Sequence, residues 1–94
     1  MSKYGRNINV KKYSSIEEIY DSVNNDPKRP GFQIVYLEKF NKAFSQTPWM
    51  RYLRANGYDD RSITIKTPSI GSEEYYAIII PASPEQATAL KICF

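Results

Sequence analysis

The sequence predicts one α+β domain over residues 1–94, built as two layers, with a mixed four-stranded sheet that carries helices mainly on one face. Segments with strand and helix periodicity alternate along the chain in the order β-α-β-α-α-β-β-α. One of them, residues 75–80, is apolar or aromatic on both alternating faces, which is typical of a strand at the centre of a sheet. A chain of 94 residues has the usual length of a single domain with a modest core.

The N-terminal third predicts a strand, a helix and a second strand. Residues 6–13 alternate in polarity, and their lysines suit an exposed or edge position. A capping box, either Ser15 with Glu18 or Ser14 with Glu17, opens a helix whose apolar residues recur at i, i+3, i+4 and i+7. Residues 32–37 are nearly all apolar, and we expect them to form a parallel pair with the first strand.

The middle of the chain predicts two further helices. Apolar side chains at helical spacing predict the first of them over roughly residues 38–45. Thr47 as N-cap, with Pro48 in the first turn, predicts a new helix start, and Asn56-Gly57 predicts its end. A single helix kinked at Pro48 is the alternative.

The C-terminal part predicts an antiparallel hairpin and a last helix. Residues 61–67 alternate between apolar and polar side chains, as in a strand with one solvated face. A loop over residues 67–72 connects this strand to the central one. Ser83 with Gln86 matches a capping box, and Pro84 suits the first position of the last helix.

The composition argues against most catalytic sites. The chain has no histidine, which removes Ser-His and Cys-His nucleophilic sites and most zinc sites. Cys93 is the single cysteine, and the four glycines are isolated, so no phosphate-binding loop is present. We therefore expect a protein that is not an enzyme, with no catalytic residue, no metal and no cofactor.

Charge and hydropathy favour a cytoplasmic protein. The net charge is only +3, and no apolar run approaches the ~20 residues that a membrane span needs. The polar N-terminus and the single cysteine favour a reducing, intracellular setting. We expect no membrane contact, and either a monomer or a homodimer that forms through a free edge of the first strand.

The richest functional signal lies in residues 39–58, where basic side chains and tyrosines fall on the predicted helices. Basic groups neutralise phosphates, and tyrosine supplies contact area at low entropic cost. The alternative interpretation is the solvated face of an amphipathic helix. The loop NNDPKRPG, residues 24–31, adds two exposed cations. The candidate binding residues, for protein or nucleic acid, are Lys28, Arg29, Lys39, Lys42, Arg51, Tyr52, Arg54 and Tyr58.

Three functions are compatible with these features. The first is a small non-enzymatic protein-binding module, since the eight tyrosines suit a contact surface. A composition rich in Lys, Asn, Ile and Tyr is typical of small phage proteins, so we expect a phage-type inhibitor of a host enzyme or defence complex. The alternative is a nucleic-acid-binding domain that uses residues 39–54. The third is a histidine-free ribonuclease-like toxin, although such toxins place two helices early and then several strands.

Overall fold

A computed structural model of the chain describes residues 12–43 and 45–94. These residues form a mixed sheet of five strands and three helices, which confirms the predicted α+β class. The order differs from the predicted one by one helix fewer and one strand more in the middle of the chain. The elements are β1 (Lys12–Tyr13), α1 (Ile16–Asn24), β2 (Phe32–Lys39), α2 (Thr47–Ala55), β3 (Thr64–Lys66), β4 (Ser69–Ile70), β5 (Glu73–Pro81) and α3 (Pro84–Cys93).

Strand β5 is the centre of the sheet, as its apolar run predicts. It pairs antiparallel with β2 along one edge and antiparallel with β3 and β4 along the other. The predicted antiparallel pairing of β3 with β5 is therefore confirmed, but the hairpin is formed by β4 and β5. The predicted loop over residues 67–72 is wrong in part, because it contains β4. A two-residue turn joins β4 to β5, and Gly71 at its first position has φ +62°, a conformation that favours glycine.

Strands β1 and β2 run in the same direction but do not pair. β1 is parallel to β4, and β4 and β5 lie between β1 and β2. The predicted parallel pair is thus wrong, because the hairpin of β4 and β5 is inserted between the two strands. Of the predicted first strand, only Lys12 and Tyr13 belong to β1, and residues 6–11 lie outside the described residues.

Helices cover both faces of the sheet, two on one face and one on the other. Ile34 and Ile79 point toward α1, where they contact Ile19. Ile78 and Ile80 point the other way and form the larger part of the core with α2 and α3. The continuous apolar run of β5 follows from this arrangement, because both of its faces are buried.

A β-bulge in β2 adapts the strand to these two layers. The register with β5 shifts between Ile34 and Tyr36, so Val35 is the extra residue on β2. Val35 and Tyr36 consequently both lie on the α2–α3 side, and Leu37 returns to the α1 side. The bulge thus brings Tyr36 to 5.9 Å from Trp49, measured between ring centroids.

Two of the three helix starts follow their sequence signals. Ser15 caps α1 by accepting a hydrogen bond from the backbone N–H of Glu18 at 3.2 Å. The Glu18 carboxylate accepts bonds from the N–H and the hydroxyl of Ser14, and these bonds lower the pKa of Glu18. Ser83 caps α3 by accepting from the N–H of Gln86 at 3.1 Å.

The predicted helix over residues 38–45 is wrong. β2 continues to Lys39, and the N–H of Phe40 donates to the carbonyl of Glu74 at 2.9 Å. β5 begins early enough to offer ladder partners to this end of β2, and those bonds outweigh a weak helical preference. Residues 40–43 form a loop, and Phe44 lies outside the described residues.

Helix α2 begins at Thr47 and ends where the sequence predicts. Its N-cap is Gln46, not the predicted Thr47, and the hydroxyl of Ser45 accepts from the N–H of Thr47. At the other end, the N–H of Gly57 bonds to the carbonyl of Arg54, and the N–H of Tyr58 bonds to the carbonyl of Leu53. This pair of bonds is a Schellman motif, and Gly57 has the positive φ, +96°, that the motif needs.

Candidate functional site

The basic residues predicted as a binding patch are partly neutralised by acidic neighbours. Nζ of Lys39 lies 2.9 Å from a carboxylate oxygen of Glu73, which begins the neighbouring strand. The guanidinium of Arg54 donates two hydrogen bonds to Asp60, at 2.9 and 3.1 Å. The turn after α2 brings Asp60 back against Arg54, so these two cations are paired within the chain.

The Arg54–Asp60 pair gives a titration that can be measured. Bonds donated by Arg54 hold the pKa of Asp60 below the ordinary value of an aspartate. Because the folded-state pKa is lowered, the pair stabilises the fold above the unfolded pKa, and this contribution disappears as the pH falls through the folded pKa. In Arg54→Gln we expect an NMR titration to return the pKa of Asp60 to its ordinary range.

Arg51→Gln is the matched control, since Arg51 is exposed on the same helix and makes no ion pair within the described residues. It should leave the pKa of Asp60 at its wild-type value. An ordinary pKa for Asp60 in the wild-type protein would contradict the pairing and leave Arg54 available to a phosphate.

The two tyrosines predicted in the same patch hold the fold together. The hydroxyl of Tyr52 donates to the backbone carbonyl of Leu90 at 2.8 Å, which ties α2 to α3. Tyr58 is half-buried against the core beneath α2 and α3. Of the candidate cations, Lys28, Lys42 and Arg51 stay exposed, with no ion pair within residues 12–43 and 45–94.

A different surface emerges where α2 meets the end of α3. The rings of Trp49 and Phe94 stack with centroids 4.0 Å apart and planes 9° from parallel. Tyr52 contacts both rings edge-on, at 5.7 Å from Trp49 and 5.1 Å from Phe94. We call Trp49, Tyr52, Ile92 and Phe94 the C-terminal aromatic surface.

The C-terminal aromatic surface has one buried residue and two exposed ones. Trp49 is only 6% exposed, as expected for a core tryptophan, whereas Phe94 is 54% exposed and Ile92 is 78% exposed. None of the predicted binding residues lies in α3 or after it, so sequence reasoning missed these two. The available signal was that Ile92 lies off the narrow apolar face formed by Ala87 and Leu90.

A cleft of about 490 Å³ opens on the opposite face of the sheet, beside α1. Helix α1 packs mainly over β2 and leaves the part of the sheet near β3 uncovered. Ile19 and Val23 of α1 form one wall, and Ala77 and Ile79 of β5 form the floor. The volume is in the range of small-molecule sites.

Arg29 crosses this cleft and is the candidate residue whose position differs most from the prediction. It is half-buried, not exposed at a loop tip. Its Nη2 donates to the hydroxyl of Thr64 at 2.9 Å, and its guanidinium carbon lies 4.3 Å from the centroid of the Phe32 ring. These contacts hold the guanidinium in place by a hydrogen bond and a cation–π interaction.

Two further charged residues line the cleft. Lys66 of β3 makes no ion pair within the described part of the chain. Asp26 lies on the loop after α1, where its carboxylate accepts a hydrogen bond from the backbone N–H of Lys28 at 2.9 Å. The cleft therefore combines an apolar floor with two cations and one carboxylate.

Within residues 12–43 and 45–94, no three side chains of the metal-ligating types cluster together. None of the helices in that part of the chain is long and apolar enough to cross a membrane. No protein-family model, curated protein or solved structure matches this chain.

Proposed function

We propose that this protein is a non-catalytic protein-binding module, an inhibitor or adaptor, and that it binds its partner through the C-terminal aromatic surface. The observation that carries the proposal is the stack of Phe94 on Trp49. It holds a half-exposed aromatic ring in one orientation, two residues along the chain from Ile92, an aliphatic side chain that is 78% exposed.

Such a surface has the features of an interface hot spot. Large aromatic side chains dominate interface energies, and a ring that is already ordered loses little entropy on binding. The contacts of Tyr52 with Trp49 and Phe94 fix both rings before any partner arrives. Ile92 is not part of the buried core, so a partner can cover its exposed side chain.

The charges nearby suggest the chemistry of the partner. Arg51 on α2 is exposed and makes no ion pair within the described residues. Lys91 in the last turn of α3 is also exposed, and its Nζ lies 5.8 Å from the centroid of the Tyr20 ring on α1. Complementary potentials speed and orient association. We therefore expect a partner with an apolar pocket for Phe94 and Ile92, surrounded by acidic side chains.

The basic segment offers less support for nucleic-acid binding than its sequence suggests. Phosphate affinity depends on how many unpaired cations a surface presents, and Lys39 and Arg54 are paired with carboxylates. Arg29 bonds to Thr64 on the other face of the sheet from α2. The proposal therefore rests on the aromatic surface.

A matched pair of substitutions tests the proposal. Ile92→Glu and Ile16→Glu make the same change at two exposed isoleucines, one on α3 and one at the start of α1. An extract of the cells in which the protein acts is passed over each immobilised variant, and the captured protein is purified and titrated. We expect Ile92→Glu to weaken its binding about tenfold or more and Ile16→Glu to leave it unchanged.

Equal losses in the two variants would show that the partner does not use the aromatic surface. Binding that falls steeply with salt and responds to nucleic acid in the extract would instead favour the nucleic-acid alternative. Thermal unfolding of both variants checks that each is folded, which is expected because both side chains are exposed.

A further inference from the structure

We infer that the cleft beside α1 is a binding site for a small amphiphilic monocarboxylate, a molecule with one carboxylate and an apolar chain or ring. This site is separate from the C-terminal aromatic surface, because the cleft and the aromatic surface lie on opposite faces of the sheet. The inference rests on the shape, lining and charge of the cleft.

The walls of the cleft suit an apolar body. Ile19 and Val23 are one helical turn apart on α1, and Ala77 and Ile79 point to the same face of β5. The small side chain of Ala77 leaves depth at the floor, where larger residues would fill the space. An apolar ligand group placed there would contact these side chains and displace water from the cleft.

Arg29 is prepared to bind a carboxylate. The hydrogen bond to Thr64 uses one of its five N–H donors, and Phe32 supports the plane of the guanidinium. Within the described residues, the bond to Thr64 is the one hydrogen bond that the guanidinium donates. Because the guanidinium is already ordered, a ligand carboxylate would meet a fixed pair of donors at little entropic cost.

The net charge of the cleft favours a ligand that carries one negative charge. Arg29 and Lys66 bring two positive charges to the cleft, and Asp26 brings one negative charge. Among the described residues of the lining, the net charge is therefore +1, which one carboxylate neutralises. A doubly charged phosphate would leave an excess negative charge close to Asp26.

The test compares three ligands that share one chain: octanoate, octanol and octylammonium. Each is titrated into the full chain while NMR follows the backbone amide signals. Octanoate should shift the signals of α1 and β3 saturably, with a dissociation constant on the order of 0.1–1 mM. Octanol should bind about tenfold more weakly, and octylammonium should not shift these signals.

Substitutions then locate the carboxylate. Arg29→Gln should weaken octanoate binding about tenfold, and Lys66→Gln should weaken it several-fold, because each removes one cation of the cleft. Lys28→Gln is the matched control: it removes the neighbouring charge of the same loop, outside the cleft, and should change affinity less than about twofold.

Four results would overturn the inference. They are the absence of saturable shifts with octanoate up to about 10 mM, similar affinity for all three ligands, shifts confined to α2 and α3, or wild-type affinity in Arg29→Gln. Should Arg29→Gln unfold because it loses its contacts with Thr64 and Phe32, Lys66→Gln decides the point alone. Lys66 is exposed, so its substitution should not affect folding.

Discussion

Ile78→Asp is expected to leave no folded population at neutral pH. Ile78 is 0% exposed and points into the core between the sheet and the helices α2 and α3. The change removes an apolar side chain, at about 2–5 kcal/mol, and buries a carboxylate without a partner, at several kcal/mol more, so the loss is as large as the whole stability. A domain of this size is stable by only about 5–15 kcal/mol. Circular dichroism and urea unfolding measure the result.

Ile79→Asp is the comparison for this prediction. Ile79 is 3% exposed but faces the cleft, which Arg29 and Lys66 also line. A carboxylate at this position borders the cleft and its two cations, so we expect a smaller loss of stability than at Ile78. A folded Ile78→Asp protein, or a greater loss in Ile79→Asp, would show that the two faces of β5 are wrongly placed.

Trp49→Ala is expected to have the second largest effect, a loss of about 3–5 kcal/mol in the free energy of unfolding. Trp49 is buried at the junction of α2, α3 and β2, and its ring contacts Tyr36, Tyr52 and Phe94. The substitution opens a cavity and also releases the ring of Phe94. Urea unfolding at neutral pH gives the change in stability.

Phe94→Ala is the control for Trp49→Ala and should cost much less, because Phe94 is half-exposed. A double-mutant cycle with the two substitutions measures the stacking energy, which we expect to be about 0.5–1.5 kcal/mol. Additive effects would mean that the two rings do not stabilise each other. The stack would then give Phe94 no fixed orientation toward a partner.

The sequence predicts those parts of the fold whose signals are local or continuous. The run of residues 75–80 is apolar on both faces, so only the centre of the sheet can bury it. Ser15 and Ser83 each lie three residues before the residue whose backbone N–H donates a hydrogen bond to their hydroxyl. Gly57 has the positive φ that ends α2. These features depend on neighbours in the chain.

The failures arise where distant segments decide the structure. Residues 38–45 match a helical period, but Tyr75 and Tyr76 of β5 offer strand partners to Glu38 and Lys39. Strand β4 has two residues, which is too short for any periodic signal. The ion pair of Lys39 with Glu73 depends on the register between β2 and β5, which the sequence does not show.

The candidate site was harder to predict than the fold for the same reason. The cleft exists because α1 lies over β2 and leaves β3 uncovered, and no sequence pattern sets the position of a helix across a sheet. The sequence around Arg29 predicts an exposed cation at the tip of a loop. Its hydrogen bond to Thr64, which is distant in the chain, becomes visible only in the structure. The aromatic surface likewise depends on α3 bringing Phe94 onto Trp49.

The proposed binding surface contains a natural attachment point for its most direct test. Cys93 is exposed, is the single cysteine of the chain and lies between Ile92 and Phe94. A thiol-linked benzophenone at Cys93 will cross-link under light to whatever protein covers this surface. The comparison protein carries Cys93→Ser together with Ile16→Cys, so that the same probe lies at the start of α1.

In the extract used for capture, we expect the probe at Cys93 to give one dominant cross-linked protein. This product should disappear when Ile92→Glu is added and should be absent from the protein labelled at position 16. Equal cross-linking from both positions, or an undiminished product with Ile92→Glu, would contradict binding through the C-terminal aromatic surface.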